Sequence, residues 1–257
     1  NYIDDIEFNK GSKGEIILIG DSHADTLSNE LNNAAQENDF SLKRFHTHML
    51  LPEIQEYDLI MNSIDDNFYK KNTQIINYLK QSKGSTIVIY NYYSLRILEK
   101  DANNKKFRKI FVGDLFSNDK NTSFKQRYDL VKKTFIDTIS EISKNNKVII
   151  IYPTPEFKVS VPIALIKKII FTDKTKIPII TSDYETFIKK RKLIFEILDE
   201  LPSNVKKINA EKFFCNNVIE KKCIGNTEEN LLFSDNHHLS NYASKYVVDE
   251  IINLINK

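Results

Sequence analysis

Short runs of β-branched and aromatic residues alternate along the chain with longer segments in which apolar residues recur at helical spacing. This alternation is typical of βαβ units and predicts a parallel sheet. The first run, Glu15–Gly20, is continuously apolar between its end residues, as expected of a strand that is buried on both faces. Four further strands are predicted at residues 41–48, 85–91, 147–152 and 205–209.

Helical segments fill the intervals between these strands. One follows the first strand, with Leu27 and Leu31 on one face, and others are predicted through residues 75–79 and over residues 125–143. A last helix closes the chain behind Ser240, a suitable N-cap residue. Five parallel strands with helices between them predict an α/β fold of three layers, α/β/α, with a five-stranded parallel sheet.

We expect a single domain over residues 1–257, because neither an internal repeat nor a linker rich in Gly, Ser or Pro interrupts the pattern. Residues 1–13 precede the first strand and are interpreted as an N-terminal extension. Residues 156–204 contain two helical stretches and no strong strand. They are interpreted as a helical insertion near the carboxyl edge of the sheet.

Composition narrows the class of protein. Hydrophobic residues make up 41% and charged residues 28% of the 257 residues, a balance typical of a globular protein. Lys and Arg number 37 against 35 Asp and Glu, so no nucleic-acid partner is expected. Apolar runs stay well below the roughly 18 residues of a membrane-spanning helix. The first residues lack the pattern of a signal peptide, and the sequence is interpreted as a mature or excised portion of a longer protein.

Chemically active residues are expected where the first strand turns into its helix. Ligands of open parallel sheets bind beyond the carboxyl ends of the strands, and there Gly20 is followed by Asp21 and Ser22. Ser22 would lie at the N terminus of a helix, where N–H groups stabilise negative charge. Its hydroxyl can act as a nucleophile and its N–H as an oxyanion donor. Alternatively, Asp21 and Ser22 only cap the helix.

A second polar segment precedes the final helix and contains Asp235 and His238, three residues apart. With that spacing the carboxylate can orient the imidazole while the other ring nitrogen faces a serine. A neutral histidine is the usual base for activating a serine hydroxyl. A surface loop that caps the final helix would explain the same residues.

Together the two segments resemble the motifs of the SGNH hydrolase superfamily, which has Gly-Asp-Ser after the first strand and Asp-x-x-His before the last helix. The longer forms Gly20-Asp-Ser-His-Ala24 and Asp235-Asn-His-His-Leu-Ser240 are similar to those of SGNH domains fused behind membrane acyltransferase-3 proteins. Those proteins O-acetylate bacterial surface polysaccharides such as lipopolysaccharide O-antigen. The resemblance covers residues 14–257 and implies the flavodoxin-like fold of the superfamily.

The resemblance also implies a role for each site residue. Ser22 is the expected nucleophile, His238 the general base and Asp235 its orienting partner. In the superfamily, a Gly and the Asn of a Gly-x-Asn-Asp motif complete the oxyanion hole beside the N–H of the nucleophile. Here the third strand ends at Asn91 without that motif. Asn91 and the N–H of Ser22 are therefore the expected oxyanion donors, and the Gly donor has no assignment.

Cys215 and Cys223 are the two cysteines of the chain and lie eight residues apart. The family that the chain resembles often carries a close pair here, which implies a disulfide and an oxidising periplasm. Two free thiols in a cytosolic protein are the alternative. A zinc site on these cysteines is not expected, because the sequence has no Cys-x-x-Cys motif.

The five histidines of the chain could also suggest a metal centre. His46 and His48 share one face of a predicted strand and could chelate a metal. We expect them to be partly exposed polar positions instead, and we interpret His23 and His237 as neighbours of the two motifs. No metal site is expected.

As a whole, the resemblance implies an extracytoplasmic O-acetyltransferase that passes an acetyl group through an acyl-serine to a sugar hydroxyl of lipopolysaccharide O-antigen, lipooligosaccharide or capsule. It implies no cofactor. The expected partners are a glycan acceptor, an acetyl donor and a membrane acyltransferase-3 domain in the same chain or complex, which would tether the protein to the inner membrane from the periplasmic side. A carbohydrate acetylesterase would use the same residues. A non-catalytic glycan-binding module is a further alternative.

Overall fold

The structure is a computed structural model that describes residues 5–52, 57–58, 63–64, 66–93, 124–171 and 177–257. The strands in this part of the chain are β1 Asp5–Asn9, β2 Glu15–Gly20, β3 Ser41–His46, β4 Tyr57–Asp58, β5 Ser63–Ile64, β6 Thr86–Tyr90, β7 Lys147–Ile151, β8 Thr181–Asp183, β9 Lys206–Ile208 and β10 Lys222–Ile224. The α-helices are α1 Ser22–Glu37, α2 Asp66–Gln81, α3 Phe124–Ile142, α4 Val161–Phe171, α5 Tyr184–Asp199 and α6 Asn241–Asn256, and a 3-10 helix spans Ala210–Phe213. None of the helices in the described ranges combines the length and apolarity that crossing a membrane requires.

The main sheet has six strands in the order β1-β3-β2-β6-β7-β9. Strand β1 runs antiparallel to β3, and the other five strands are parallel. These five are the strands that the sequence predicts, so the predicted three-layer α/β/α fold is confirmed, with β1 as an added edge strand. The strand order reverses beside β2, which makes its carboxyl end the topological switch point where such sheets bind ligands.

The central strands of the main sheet contribute alternate residues to two hydrophobic cores, one on each face of the sheet. Strands β2, β6 and β7 are buried on both faces, which explains their continuous apolar runs. One core lies between the sheet and helices α1 and α6, with Leu18, Val88, Leu27, Val247 and Ile251. The other lies between the sheet and helices α2, α3 and α5, with Ile17, Ile89, Leu79, Phe135 and Ile194.

Two segments differ in detail from the sequence interpretation. Residues 1–13 include strand β1, whose Asp5–Asn9 pattern alternates polar and apolar residues as expected at a sheet edge. Residues 156–204 contain helices α4 and α5 together with the short strand β8, which pairs antiparallel with β10. The division of the chain into one domain with an extension and an insertion stays a prediction.

Strand β3 ends at His46, earlier than predicted. Thr47 donates its N–H to the carbonyl of Gly20, the last residue of β2. Beyond that bond, β2 offers β3 no further partner, because the chain turns into α1 at Ser22.

Candidate active site

Ser22 leaves the sheet in a tight turn between β2 and α1. Gly20 has φ +154, and a Cβ atom at this position would lie 1.8 Å from the carbonyl oxygen of Tyr90. The end of β2 therefore approaches β6 more closely than any residue with a side chain allows. Asp21 is the N-cap of α1 and accepts the N–H of His23 at 3.0 Å. Ser22 is then the first helical residue and is exposed.

Asp21 also connects this turn to the neighbouring strands. Its carboxylate accepts the N–H of Tyr92, which follows β6, at 2.9 Å. Burial opposes ionisation of Asp21, but hydrogen bonds from the His48 side chain and from the N–H groups of His23 and Tyr92 lower its pKa. Arg44 of β3 is buried, donates to the Asp21 carbonyl at 3.1 Å and pairs with Asp25 of α1. Residues 20–24, named here the nucleophile turn after the role expected of Ser22, are thus fixed from both flanking strands.

His238 and Asp235 lie in a loop of residues 225–240, called here the base loop. Three buried apolar residues anchor it to the core, namely Leu232, Phe233 and Leu239. Ser234 donates its N–H to the carbonyl of His238 at 2.9 Å, and Ser240 donates its N–H to the carbonyl of Leu232 at 3.0 Å. These bonds close the turn that carries Asp235 and His238 just before α6.

The two segments meet in a line of three side chains. Nε2 of His238 lies 2.8 Å from Oγ of Ser22, and Nδ1 of His238 lies 2.6 Å from Oδ2 of Asp235. The other carboxylate oxygen of Asp235 accepts the N–H groups of His237 and His238, each at 2.8 Å. Burial raises the pKa of Asp235, but these hydrogen bonds outweigh it and lower that pKa to about 2. The carboxylate is therefore charged at neutral pH and can hold the imidazole with Nε2 toward the serine.

Two further histidines surround this line. Nε2 of His23 lies 3.0 Å from Nδ1 of His237, and Tyr92 stacks against both rings, with centroid distances of 4.9 Å and 4.7 Å. Burial lowers the pKa of His23 to about 3, so its ring is neutral at neutral pH. One nitrogen each of His23, His237 and His238 lies within 4.8 Å of the others. Among the residues that the structure describes here, these three imidazoles are close enough together to hold a metal ion.

An open depression of about 800 Å³ lies beside Ser22 and His238. Its walls come from α1 and from the base loop with the start of α6, and they include Asp25, Thr26, Glu229, Asn230, Ser234, Asn241 and Tyr242. Most of these side chains can donate or accept hydrogen bonds. A polar molecule with several hydroxyl groups can therefore reach Ser22 from this side.

Asn91, the expected oxyanion donor, lies directly after β6 and is buried, with 2% of its surface exposed. Its amide neighbours the Tyr93 hydroxyl but makes no hydrogen bond of good geometry with any residue that the structure describes. No hydrogen bond joins it to Ser22 or His238 in that part of the chain. Its oxyanion role stays a prediction.

Cys215 and Cys223 form the predicted disulfide, with sulfur atoms 2.06 Å apart. It ties the residues after the 3-10 helix to strand β10, which leads directly into the base loop. The alternative of two free thiols is therefore excluded for these residues.

Sequence reasoning missed the residues that position Ser22. Arg44 lies between Lys43 and Phe45 in the sequence, and this mixed segment gives no local signal that the arginine is buried with a fixed partner. Tyr92 directly follows the predicted strand of residues 85–91, and the sequence alone assigns it no role in the site. Its N–H and its ring contact two different elements of the site, and neither contact follows from the local sequence.

Comparison with known proteins identifies the fold and the family of the chain. No curated protein matches the chain. A solved structure, the periplasmic domain of the lipopolysaccharide acetyltransferase of Salmonella ser. Paratyphi A, is similar with a TM-score of 0.63 and 17% identity, over 96% of this chain and 85% of that chain. At this identity, the likeness shows a shared fold. The family model of the SGNH domain fused to AT3 domains, which are the acyltransferase-3 domains, matches residues 3–253. The chain therefore belongs to the family of SGNH domains that are fused to acyltransferase-3 domains.

Proposed function

We propose that this chain is the serine acyltransferase domain that O-acetylates a sugar hydroxyl of a bacterial surface polysaccharide. The acceptor would be lipopolysaccharide O-antigen, lipooligosaccharide or capsule, reached on the periplasmic side of the inner membrane. The observation that carries the proposal is the hydrogen-bonded line of Ser22, His238 and Asp235. Membership of a family fused to acyltransferase-3 domains supports the direction of the reaction and the presence of a membrane partner domain.

In the first half-reaction, Nε2 of His238 takes the proton of Ser22 as the Oγ atom attacks the carbonyl carbon of an acetyl donor. The distance of 2.8 Å between these atoms suits direct proton transfer. Charge builds on the imidazole, and the Asp235 carboxylate stabilises it from the other side at 2.6 Å. The donor's leaving group departs with the proton from His238, and an acetyl ester of Ser22 results.

The oxyanion that forms in this step needs donors close to Ser22. The N–H of Ser22 lies in the first turn of α1, where N–H groups have no partner within the helix and the helix dipole favours negative charge. The buried amide of Asn91, at the end of the neighbouring strand, is the proposed second donor. Its unused hydrogen-bonding capacity among the described residues supports that assignment.

In the second half-reaction, a sugar hydroxyl attacks the acetyl-serine while His238 accepts its proton, and Ser22 is released with the proton returned. The polar depression beside Ser22 supports a glycan as the acceptor, because its walls offer several hydrogen-bonding side chains and the exposed ring of Tyr242. The acetyl donor would reach Ser22 from the acyltransferase-3 domain.

The experiment is acyl-enzyme formation, measured by intact-protein mass after brief exposure to 4-nitrophenyl acetate. The wild type should gain one acetyl group on Ser22, and Ser22→Ala and His238→Ala should gain none. Ser12→Ala is the matched control, because Ser12 is also exposed but precedes β2 at the opposite end of the strand. Equal labelling of the wild type and Ser22→Ala would contradict the proposal.

A carbohydrate acetylesterase is the second candidate, favoured by the exposure of Ser22, which gives water direct access to an acetyl-serine. The two functions differ in the acceptor alone. Adding oligosaccharide from the surface polysaccharide to the acetylated protein distinguishes them. Loss of the acetyl group to the sugar supports the transferase. Loss at an unchanged rate, with free acetate as the product, supports the esterase.

A further inference from the structure

Three histidine side chains converge beside Ser22, and the proposed reaction uses only one of them. His23 and His237 come from the nucleophile turn and the base loop, 214 residues apart in the sequence, and their facing nitrogens are 3.0 Å apart. The ring of His238 lies 4.0 Å from that of His237, measured between centroids. One nitrogen of each of the three rings lies within 4.8 Å of the other two.

The three rings are held in place by contacts outside the cluster. His23 is 3% exposed and packs edge-on against Tyr90, while Tyr92 stacks on both His23 and His237. His238 has its Nδ1 atom on the carboxylate of Asp235. A histidine that donates one ring nitrogen to a carboxylate and offers the other to a metal is a recurring arrangement in zinc sites. The cluster is therefore preorganised on all three sides.

We propose that His23, His237 and His238 form a binding site for a Zn²⁺ ion and that the bound ion blocks the serine. Zn–N bonds of about 2.0–2.1 Å at tetrahedral angles place ligand nitrogens about 3.4 Å apart, which small ring rotations bring within reach of this cluster. The proton now shared between His23 and His237 would move to an outer ring nitrogen, and a water molecule would take the fourth position. Because His238 would bind the metal through Nε2, that atom could no longer accept the proton of Ser22.

This inference differs from the expectation drawn from the sequence, in which no metal site is predicted. The sequence showed His46 and His48 as the pair with chelating spacing. In the structure the centroids of those two rings are 6.5 Å apart, and His46 pairs with Asp25. The convergence of His23 with the two histidines of the base loop depends on the fold, and local spacing does not reveal it.

The test is a calorimetric titration of ZnCl₂ into the whole purified chain after treatment with EDTA and removal of the chelator. One zinc ion should bind per chain. His237→Gln should weaken binding by about tenfold or more, and Asp235→Asn, which removes the carboxylate behind His238, by about 10–100-fold. Ser22→Ala should bind zinc like the wild type, because it removes no ligand. His46→Gln is the matched control from the other histidine pair and should also bind normally.

Thermal unfolding in the absence of zinc identifies any variant that fails to fold, and the remaining variants carry the result. No binding heat and no zinc-dependent rise of the melting temperature in the wild type would overturn the proposal. So would unchanged binding by His237→Gln, or its loss in His46→Gln. The titration of Ser22→Ala keeps the metal site separate from the proposed function, since zinc would still bind if no acetyl-serine ever formed.

A second readout rests on the proposed function. Zinc should suppress the acetylation of Ser22 by 4-nitrophenyl acetate in the wild type, and EDTA should restore it. In His237→Gln, the same zinc concentration should suppress it at least about tenfold less effectively, in proportion to the weaker binding. Binding without suppression would disprove the blocking step.

Discussion

The nucleophile turn carries Ser22, and the base loop carries Asp235 and His238. Different interactions hold the two segments in place. Residues 20–24 follow a strand that is paired along its length on both sides and whose apolar residues are fully buried. The base loop has only single bridges, such as Phe233 with Leu239, and its shape depends on local hydrogen bonds and three buried side chains. The first half is positioned by the sheet, and the second by its own turn.

This difference indicates where each half is vulnerable. A change in the nucleophile turn disturbs two strands and the core, because no local rearrangement leaves the sheet intact. A change in the base loop can be absorbed locally, and it should affect the order of His238 more than the stability of the whole chain. Substitutions in the two regions should therefore separate loss of fold from loss of site geometry.

The largest effect is expected for Gly20→Ala. The added Cβ would lie 1.8 Å from the Tyr90 carbonyl oxygen and 2.8 Å from Cβ of Ala24, and the φ of +154 disfavours a residue with a side chain. The carbonyl belongs to the backbone of β6, which cannot move without breaking its pairing with β2. We expect the free energy of unfolding to fall by more than about 4 kcal/mol, measured by urea unfolding or seen as failure to fold.

Gly84→Ala is the matched control for that prediction. Gly84 also has a positive φ, +76, but a Cβ there meets nothing within 4 Å. Gly84→Ala should lower the free energy of unfolding by about 1–2 kcal/mol, because it adds backbone strain alone. Similar losses of stability in Gly20→Ala and Gly84→Ala would contradict the prediction. They would mean that the close approach of β2 to β6 adds nothing to the effect of backbone strain.

An intermediate effect is expected from removal of the disulfide in Cys215→Ala/Cys223→Ala. The bond closes a short loop before the base loop, and its loss should lower the free energy of unfolding by about 2–3 kcal/mol. Alanine avoids leaving a buried hydroxyl at these two buried positions. Hydrogen exchange should rise over residues 225–240 before it rises over residues 20–24.

Dithiothreitol provides the control for the disulfide prediction. It should destabilise the wild type to about the same extent as the double substitution and leave the double variant unchanged. Equal increases of exchange in the base loop and the nucleophile turn would contradict the comparison, because they would mean that the two regions open as one cooperative unit.

The sequence predicts the position of the nucleophile turn better than that of the base loop. The run from Ile16 to Ile19 identifies β2 on physical grounds, since buried parallel strands are continuously apolar. The selection of Asp235 and His238 depended on resemblance to a family, because a three-residue spacing in a loop carries no periodic signal. Their distances to Ser22 come from the fold alone.

Contacts between segments that lie far apart in the sequence could not be predicted from local patterns. The bond from Arg44 to the Asp21 carbonyl depends on the register of β3 against β2, which no local pattern states. The pairing of His23 with His237 depends on the meeting of two segments near opposite ends of the chain. Strand β1 did have a local signal, the alternation of Asp5–Asn9, but it is short enough to be interpreted as an extension.

The smallest effect is expected for Asp183→Asn. This substitution tests the ion pair between Asp183 and Lys222 of β10, the strand that leads into the base loop. Asp183 is the N-cap of α5, accepts the N–H of Thr186 at 2.8 Å and pairs with Lys222 of β10 at 3.2 Å. The hydrogen bonds from Thr186, followed by that from Lys222, lower the pKa of Asp183 to about 2. Asparagine caps a helix nearly as well as aspartate, so the substitution removes the charge and keeps the cap.

Because the pKa of Asp183 is lower in the folded chain than the roughly 3.9 of an unfolded chain, its charge stabilises the fold above about pH 4. That contribution should disappear as the pH falls from about 4 to about 2. Asp183→Asn should therefore melt slightly below the wild type at pH 7, by a small amount since the pair is exposed and screened by salt. The difference should narrow in melting curves recorded at successively lower pH. Lys222→Gln, which leaves the cap intact, should reproduce part of the deficit. A deficit that stays constant or widens toward low pH would mean that Asp183 acts through its shape, and that charge plays no part in holding β10 and the base loop in place.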